Sequence, residues 1–186
     1  MWAFRTSSNT YTEGGMARQR PIEIFSHWHK MLEGLPLSSQ GFYESLEHSL
    51  SARQVPNIRV ARSFKREGGI LSAKREYLEV RRGSEIFYVC GAPFGNGFFV
   101  SWWLGEMLGF FAMIRLWLSL VPVVGPYLAF WKSFYQVDVA LMFQSLTHSA
   151  VLEVIDSLIE SKGLKALTEG ERKPILRDFF AQNAVH

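Results

Sequence analysis

FFVSWWLGEMLGFFAMIRLWLSLV, Phe98 to Val121, is the stretch whose reading decides the fold. Glu106 and Arg115 are its only charges. A continuous helix here, rising ~1.5 Å per residue, is roughly 36 Å long and covers a ~30 Å hydrocarbon core with some tilt. Pro122, Gly125 and Pro126 then break the chain within VPVVGP, and YLAFWKSFYQVD resumes an apolar run carrying Lys132 and Asp138. The pattern predicts a membrane helical hairpin over 93–147, turning at Pro122, Gly125 and Pro126. A second helix runs from near Tyr127 to a stop at Gly163.

Charges inside such a hairpin are costly at mid-bilayer, about 2.5–3.5 kcal/mol each, so they pair or face water. Glu106, Arg115, Lys132 and Asp138 are wrongly spaced for pairs on one helix. Folding the hairpin at 122–126 brings Arg115 opposite Asp138 to within a turn. These four residues are therefore the expected polar seam between helices or subunits.

Composition supports the same division. Between Phe87 and Phe143 lie nine Phe, four Trp and three Tyr, a density typical of membrane segments and their interfaces. Residues 1–85 carry 13 Lys/Arg against 9 Asp/Glu, and residues 86–186 carry 7 against 8. Cys90 is the single cysteine, which excludes an internal disulfide framework. The first twenty residues are polar and aperiodic and read as a mobile tail; they lack the apolar run of a signal peptide, and Met16 is an alternative start.

Between the tail and the hairpin, residues 21–92 read as a cytoplasmic α+β domain. PIEIFSHWHKMLEG suits a short helix, with Pro21 at its first turn and Gly34 as its stop. SQGFYESLEHSLSAR, capped by Ser38 or Ser39, repeats Phe42, Leu46 and Leu50 at helical spacing and ends before Pro56. Residues 57–64, 70–80 and 86–92 follow as strands joined by short turns, a three-stranded antiparallel meander. After the hairpin, residues 148–186 form amphipathic helices: Val151, Val154, Ile155, Leu158 and Ile159 make one stripe, and Thr168 with Glu171 has capping-box spacing.

Chemistry is thinly marked. His27 and His29, two apart on a helix, point different ways and have no ligand cluster beside them. GAPFGNG lacks the pattern of a phosphate loop and reads as a flexible joint. Cys90 in IFYVCGA has no partner base, and no serine has a hydrolase setting. No cofactor, metal or catalytic set is expected. The basic residues Arg62, Lys65, Arg66, Lys74, Arg75, Arg81 and Arg82 precede the hairpin and suit lipid head groups; interleaved Glu67, Glu76, Glu79 and Glu85 disfavour a nucleic-acid track.

The resulting expectation is a small integral membrane protein with both termini cytoplasmic, a structural subunit of an oligomeric assembly, scaffold or pore. Its partners are the lipid bilayer and further copies or other membrane subunits. The alternative is a soluble or peripheral lipid-binding or pore-forming protein whose apolar hairpin is buried in an oligomer until insertion. An enzyme acting on a lipid or other apolar substrate is a third reading.

Overall fold

The structure, a computed structural model, describes residues 22–66, 74–107 and 134–176. The chain runs β1 (Ile22–Leu32), α1 (Ser39–Ala52), β2 (Ile58–Arg66), β3 (Lys74–Arg82), β4 (Glu85–Phe94), β5 (Gly97–Met107), α2 (Phe134–Ser161), α3 (Glu169–Arg172) and β6 (Ile175–Leu176). The strands form one antiparallel sheet in the order β2-β3-β4-β5-β1-β6.

This corrects the expected three-stranded sheet with a helical hairpin. The meander of β2, β3 and β4 and helix α1 are where the sequence puts them, but the sheet continues through β5 to β1. The expected first half of the membrane helix, 98–107, is strand. Phe98, Val100, Trp102 and Leu104 alternate onto one face and are fully buried, yet Phe99, Ser101 and Trp103 between them hide the alternation. With aromatics on both faces the strand reads as an unbroken apolar run, which periodicity alone does not distinguish from a helix.

The segment read as a first helix is β1. Its inward residues Trp28 and Leu32 stand four apart, and four is a multiple of the strand period as well as close to a helical turn. A bulge between Ile24 and Ser26 shifts the register against β5 and breaks the alternation that would have marked a strand. GAPFGNG is not a joint to a helix but the β4–β5 hairpin, with Gly95 at φ 59 in its turn.

Both helices lie on one face of the sheet. Phe42, Tyr43, Leu46 and Leu50 of α1 and Ala150, Val151, Val154, Ile155 and Ile159 of α2 bury against Leu78, Val80, Phe87, Val89, Trp102 and Trp28. Ser38 caps α1 through a bond from Gly41 N–H at 3.1 Å. Gly91 is required by the fit of α1: a Cβ there would come within 2.4 Å of the Phe42 ring. Tyr43 bridges strands through its hydroxyl, donating to the Glu76 carbonyl at 2.8 Å and accepting from Gly91 N–H at 3.1 Å. Burial raises its pKa, so it stays a neutral donor.

No helix among the described residues is long and apolar enough to cross a membrane. The reading as an integral membrane protein, and the cytoplasmic placement of both termini that rested on two crossings, are therefore corrected. Arg115, Pro122, Gly125, Pro126 and Lys132 lie outside the described residues, as do the N-terminal tail and the last ten residues.

Beyond α2, Gly163 at φ 62 ends the helix as expected, and Thr168 with Glu171 forms the capping box. The helix it opens is one turn, after which Pro174 leads into β6 rather than a longer helix. Residues 168–176 make a clasp over the edge of β1. Trp28 Nε1 donates to the Glu171 carbonyl at 2.7 Å, Lys30 pairs with Glu171 at 2.5 Å, and Ser26 donates to the Ile175 carbonyl at 3.4 Å. Arg172 forks onto Asp156 of α2 at 2.9 and 2.6 Å. Under the clasp sits His148. Its Nδ1 accepts from Trp102 Nε1 at 3.1 Å, and its Nε2 lies 2.6 Å from the Arg172 carbonyl. An indole nitrogen only donates and a carbonyl only accepts, so the imidazole is neutral with its proton on Nε2.

Candidate functional site

At one end of the sheet the described residues form a cleft. Where β3 turns into β4, where β5 stops and where α2 starts, the surface holds a cleft of about 460 Å³. It is lined by Asn57, Arg82, Gly83, Ser84, Glu85, Glu106, Tyr135, Gln136 and Val139. The β4–β5 register sets Glu85 directly opposite Glu106, and Ser84 donates to Glu106 at 3.0 Å. Like charges directly opposite on neighbouring strands are ordinarily destabilising. Arg82 lines the same cleft.

Tyr135, Gln136 and Val139 reach the cleft because α2 begins there, and its first turns are unusual. Tyr135 is 77% exposed, Val137 39%, Leu141 48% and Met142 64%. Tyr135, Asp138 and Met142 fall on one side of the helix by their spacing, with Leu141 beside them. An amphipathic helix normally turns such residues to the core. Residues 108–133, whose sequence carries only Arg115 and Lys132 as charges, lie outside the described residues.

The residues singled out from sequence divide accordingly. Glu106 is half-buried on β5 in the cleft; Asp138 is exposed on the neighbouring turns of α2. Arg115, the expected partner of Asp138, and Lys132, the fourth member of the expected seam, lie outside the described residues. The basic residues split three ways. Arg62 bonds Glu47 at 2.9 Å and approaches Glu76 at 3.9 Å on the helix-covered face; the Glu47 bond, then Coulomb attraction, raises its pKa against the pull of burial. Lys65, Arg66, Lys74 and Arg75 flank the β2–β3 hairpin at the far end of the sheet, where Lys65 stands 4.9 Å over the Tyr88 ring. Burial, then the nearby Glu79 carboxylate, pushes the Tyr88 phenol up to about 12. Arg81 pairs with Glu79, leaving Arg82 as the member of the set that faces the cleft.

His27 and His29 share a face after all. On a strand, residues two apart point the same way, and their rings stand parallel with centroids 6.3 Å apart, His27 stacking at 4.8 Å on Trp103. No group of three or more His, Cys, Asp or Glu among the described residues could hold a metal ion. Cys90 is buried. The cleft residues Asn57, Ser84, Glu85, Tyr135, Gln136 and Val139 carry no local signal in the sequence; only strand register and the start of α2 bring them together.

No protein-family model matches the chain, and no curated protein matches it. Among solved structures, the crystal structure of the di-domain ARO/CYC StfQ from the steffimycin biosynthetic pathway aligns over 75% of this chain and 52% of its own length, at 10% identity and a TM-score of 0.31. The chain thus spans about half of that protein. A TM-score of this size assigns no shared fold, and neither topology nor chemistry is taken from it.

Proposed function

We propose that this chain is a peripheral lipid-surface protein that docks through the cleft end of its sheet. The observation that carries this reading is the first part of α2: Tyr135, Val137, Leu141 and Met142 lie exposed on the helix whose first turns, at Tyr135, Gln136 and Val139, line the cleft with Arg82. An apolar patch rimmed by a cation matches the two layers of a lipid interface, acyl boundary and anionic head groups. Each basic residue close to an anionic surface contributes about 1 kcal/mol.

Co-flotation with vesicles tests it. The full chain is expected to float with phosphatidylglycerol/phosphatidylcholine vesicles, and less with phosphatidylcholine alone. Leu141→Asp with Met142→Asp should cut the floated fraction at least tenfold without loss of the circular dichroism of the fold. A chain that stays at the bottom of the gradient with both vesicle types refutes the reading.

A further inference from the structure

His148 is a titratable group of α2 buried between the sheet and the clasp, and the lipid-surface reading makes no use of it. Its contacts admit only one protonation state. Trp102 Nε1–H points at Nδ1 from 3.1 Å, so a second proton on the ring would set two N–H groups against each other. The Nε2 side is roofed by the Arg172 backbone. Trp28 and Trp102 stand edge-on to the ring at 5.5 and 5.4 Å and close its sides with hydrocarbon. The clasp is the short terminal element among these neighbours, held on Nε2 by one backbone carbonyl.

We infer that His148 makes the C-terminal clasp an acid-sensitive latch: protonating the imidazole lifts residues 168–176 from His148 and from the outer edge of β1. The charged groups around it favour this direction. Arg172, facing His148 from the clasp, is a cation, and its charge opposes a second one on the ring. Asp156 on α2 is engaged by the Arg172 fork, and Glu171 of the clasp is engaged by Lys30 of β1. Trp28 and Trp102, the sheet residues in contact with the ring, are uncharged. Desolvation lowers the pKa of His148 first, with Arg172 adding to it against the bond to the Arg172 carbonyl. The Lys30 bond, then bonds from Thr168, hold Glu171 down at about 2, so that carboxylate keeps its charge through the range in which an imidazole titrates. His27 is the other imidazole near the clasp, opposite Ile175 on the β1–β6 pairing, and serves as the control.

The sign follows from linkage. The closed form binds fewer protons than the open form, so opening becomes easier as pH falls below the ordinary imidazole pKa of ~6.5, by up to tenfold per unit until the closed-state pKa is reached. Hydrogen exchange of the full chain, corrected for intrinsic rates, reads this directly. Protection of residues 169–176 is expected to fall between pH 7 and pH 5 by several-fold or more, while protection in α1 and β4 stays level. Whatever the absolute level of clasp protection in His148→Gln, the slope with pH should vanish in it and persist in His27→Gln. The Trp28 and Trp102 indole N–H resonances should shift with the same midpoint. Level protection in the wild type, or an unchanged slope in His148→Gln, overturns the inference.

Discussion

The two halves of α2 are built from similarly apolar sequence and are used in opposite ways. From Thr147 onward the helix buries Thr147, His148, Ala150, Val151, Val154, Ile155 and Ile159 under α1 and the clasp, and turns Ser149, Glu153 and Ser157 outward. Over residues 135–146, Ala140, Phe143 and Gln144 are buried, and the outward side includes Tyr135, Leu141 and Met142 with Asp138. The helix thus passes from a half whose apolar stripe is matched by the sheet to a half whose apolar residues have no matching cover among the described elements. Burial, not apolar content, tells packing residues from residues left for a surface.

Substitutions should separate the halves by stability. Ile155→Ala leaves a cavity between α2 and the sheet and is expected to cost about 2–5 kcal/mol, measured by urea denaturation. Leu141→Ala, at an exposed site, should stay within about 0.5 kcal/mol of wild type. Equal costs at the two sites would erase the distinction. Gly91→Val sharpens the picture of the packed region: its side chain would meet the Phe42 ring, and overpacking of this kind costs about 1–3 kcal/mol.

Thr147 bears on the buried half in the other direction. Its hydroxyl is fully buried and has no hydrogen-bond partner among the described residues. Thr147→Val keeps the shape and removes that group, so a gain of about 1 kcal/mol is expected, read as a higher urea midpoint with unchanged slope. A loss would mean that the hydroxyl is satisfied in solution. The smallest effect concerns acid. His148 has a lowered pKa when folded, so its contribution to stability is full above the ordinary imidazole range and declines as pH falls through that range toward the folded value. Stability in urea should drop from pH 7 to pH 5 in the wild type and drop less in His148→Gln.

Much of the packed region was legible in the sequence because its signals are local. Phe42, Leu46 and Leu50 mark α1, turns bound β2 to β4, Gly163 stops α2, and Thr168 with Glu171 caps α3. The strands β1 and β5 were not legible, for opposite reasons. A bulge at Phe25 and four-residue spacing of Trp28 and Leu32 imitated a helix in β1. Paired aromatics at Phe98–Phe99 and Trp102–Trp103 concealed the alternation in β5. Of the cleft, Glu106 stood out as a charge in an apolar run and Arg82 as a turn cation. Glu85 facing Glu106, and Tyr135 beside both, are consequences of register and helix placement that no local pattern carries.

Vesicle co-flotation of the wild type beside Leu141→Asp/Met142→Asp tests the central claim most directly. If the exposed half of α2 is a lipid-facing surface, the wild type floats with phosphatidylglycerol-containing vesicles and the double variant, folded and of equal stability, remains at the bottom. If both float equally, or neither does, the exposed half of α2 is not that surface.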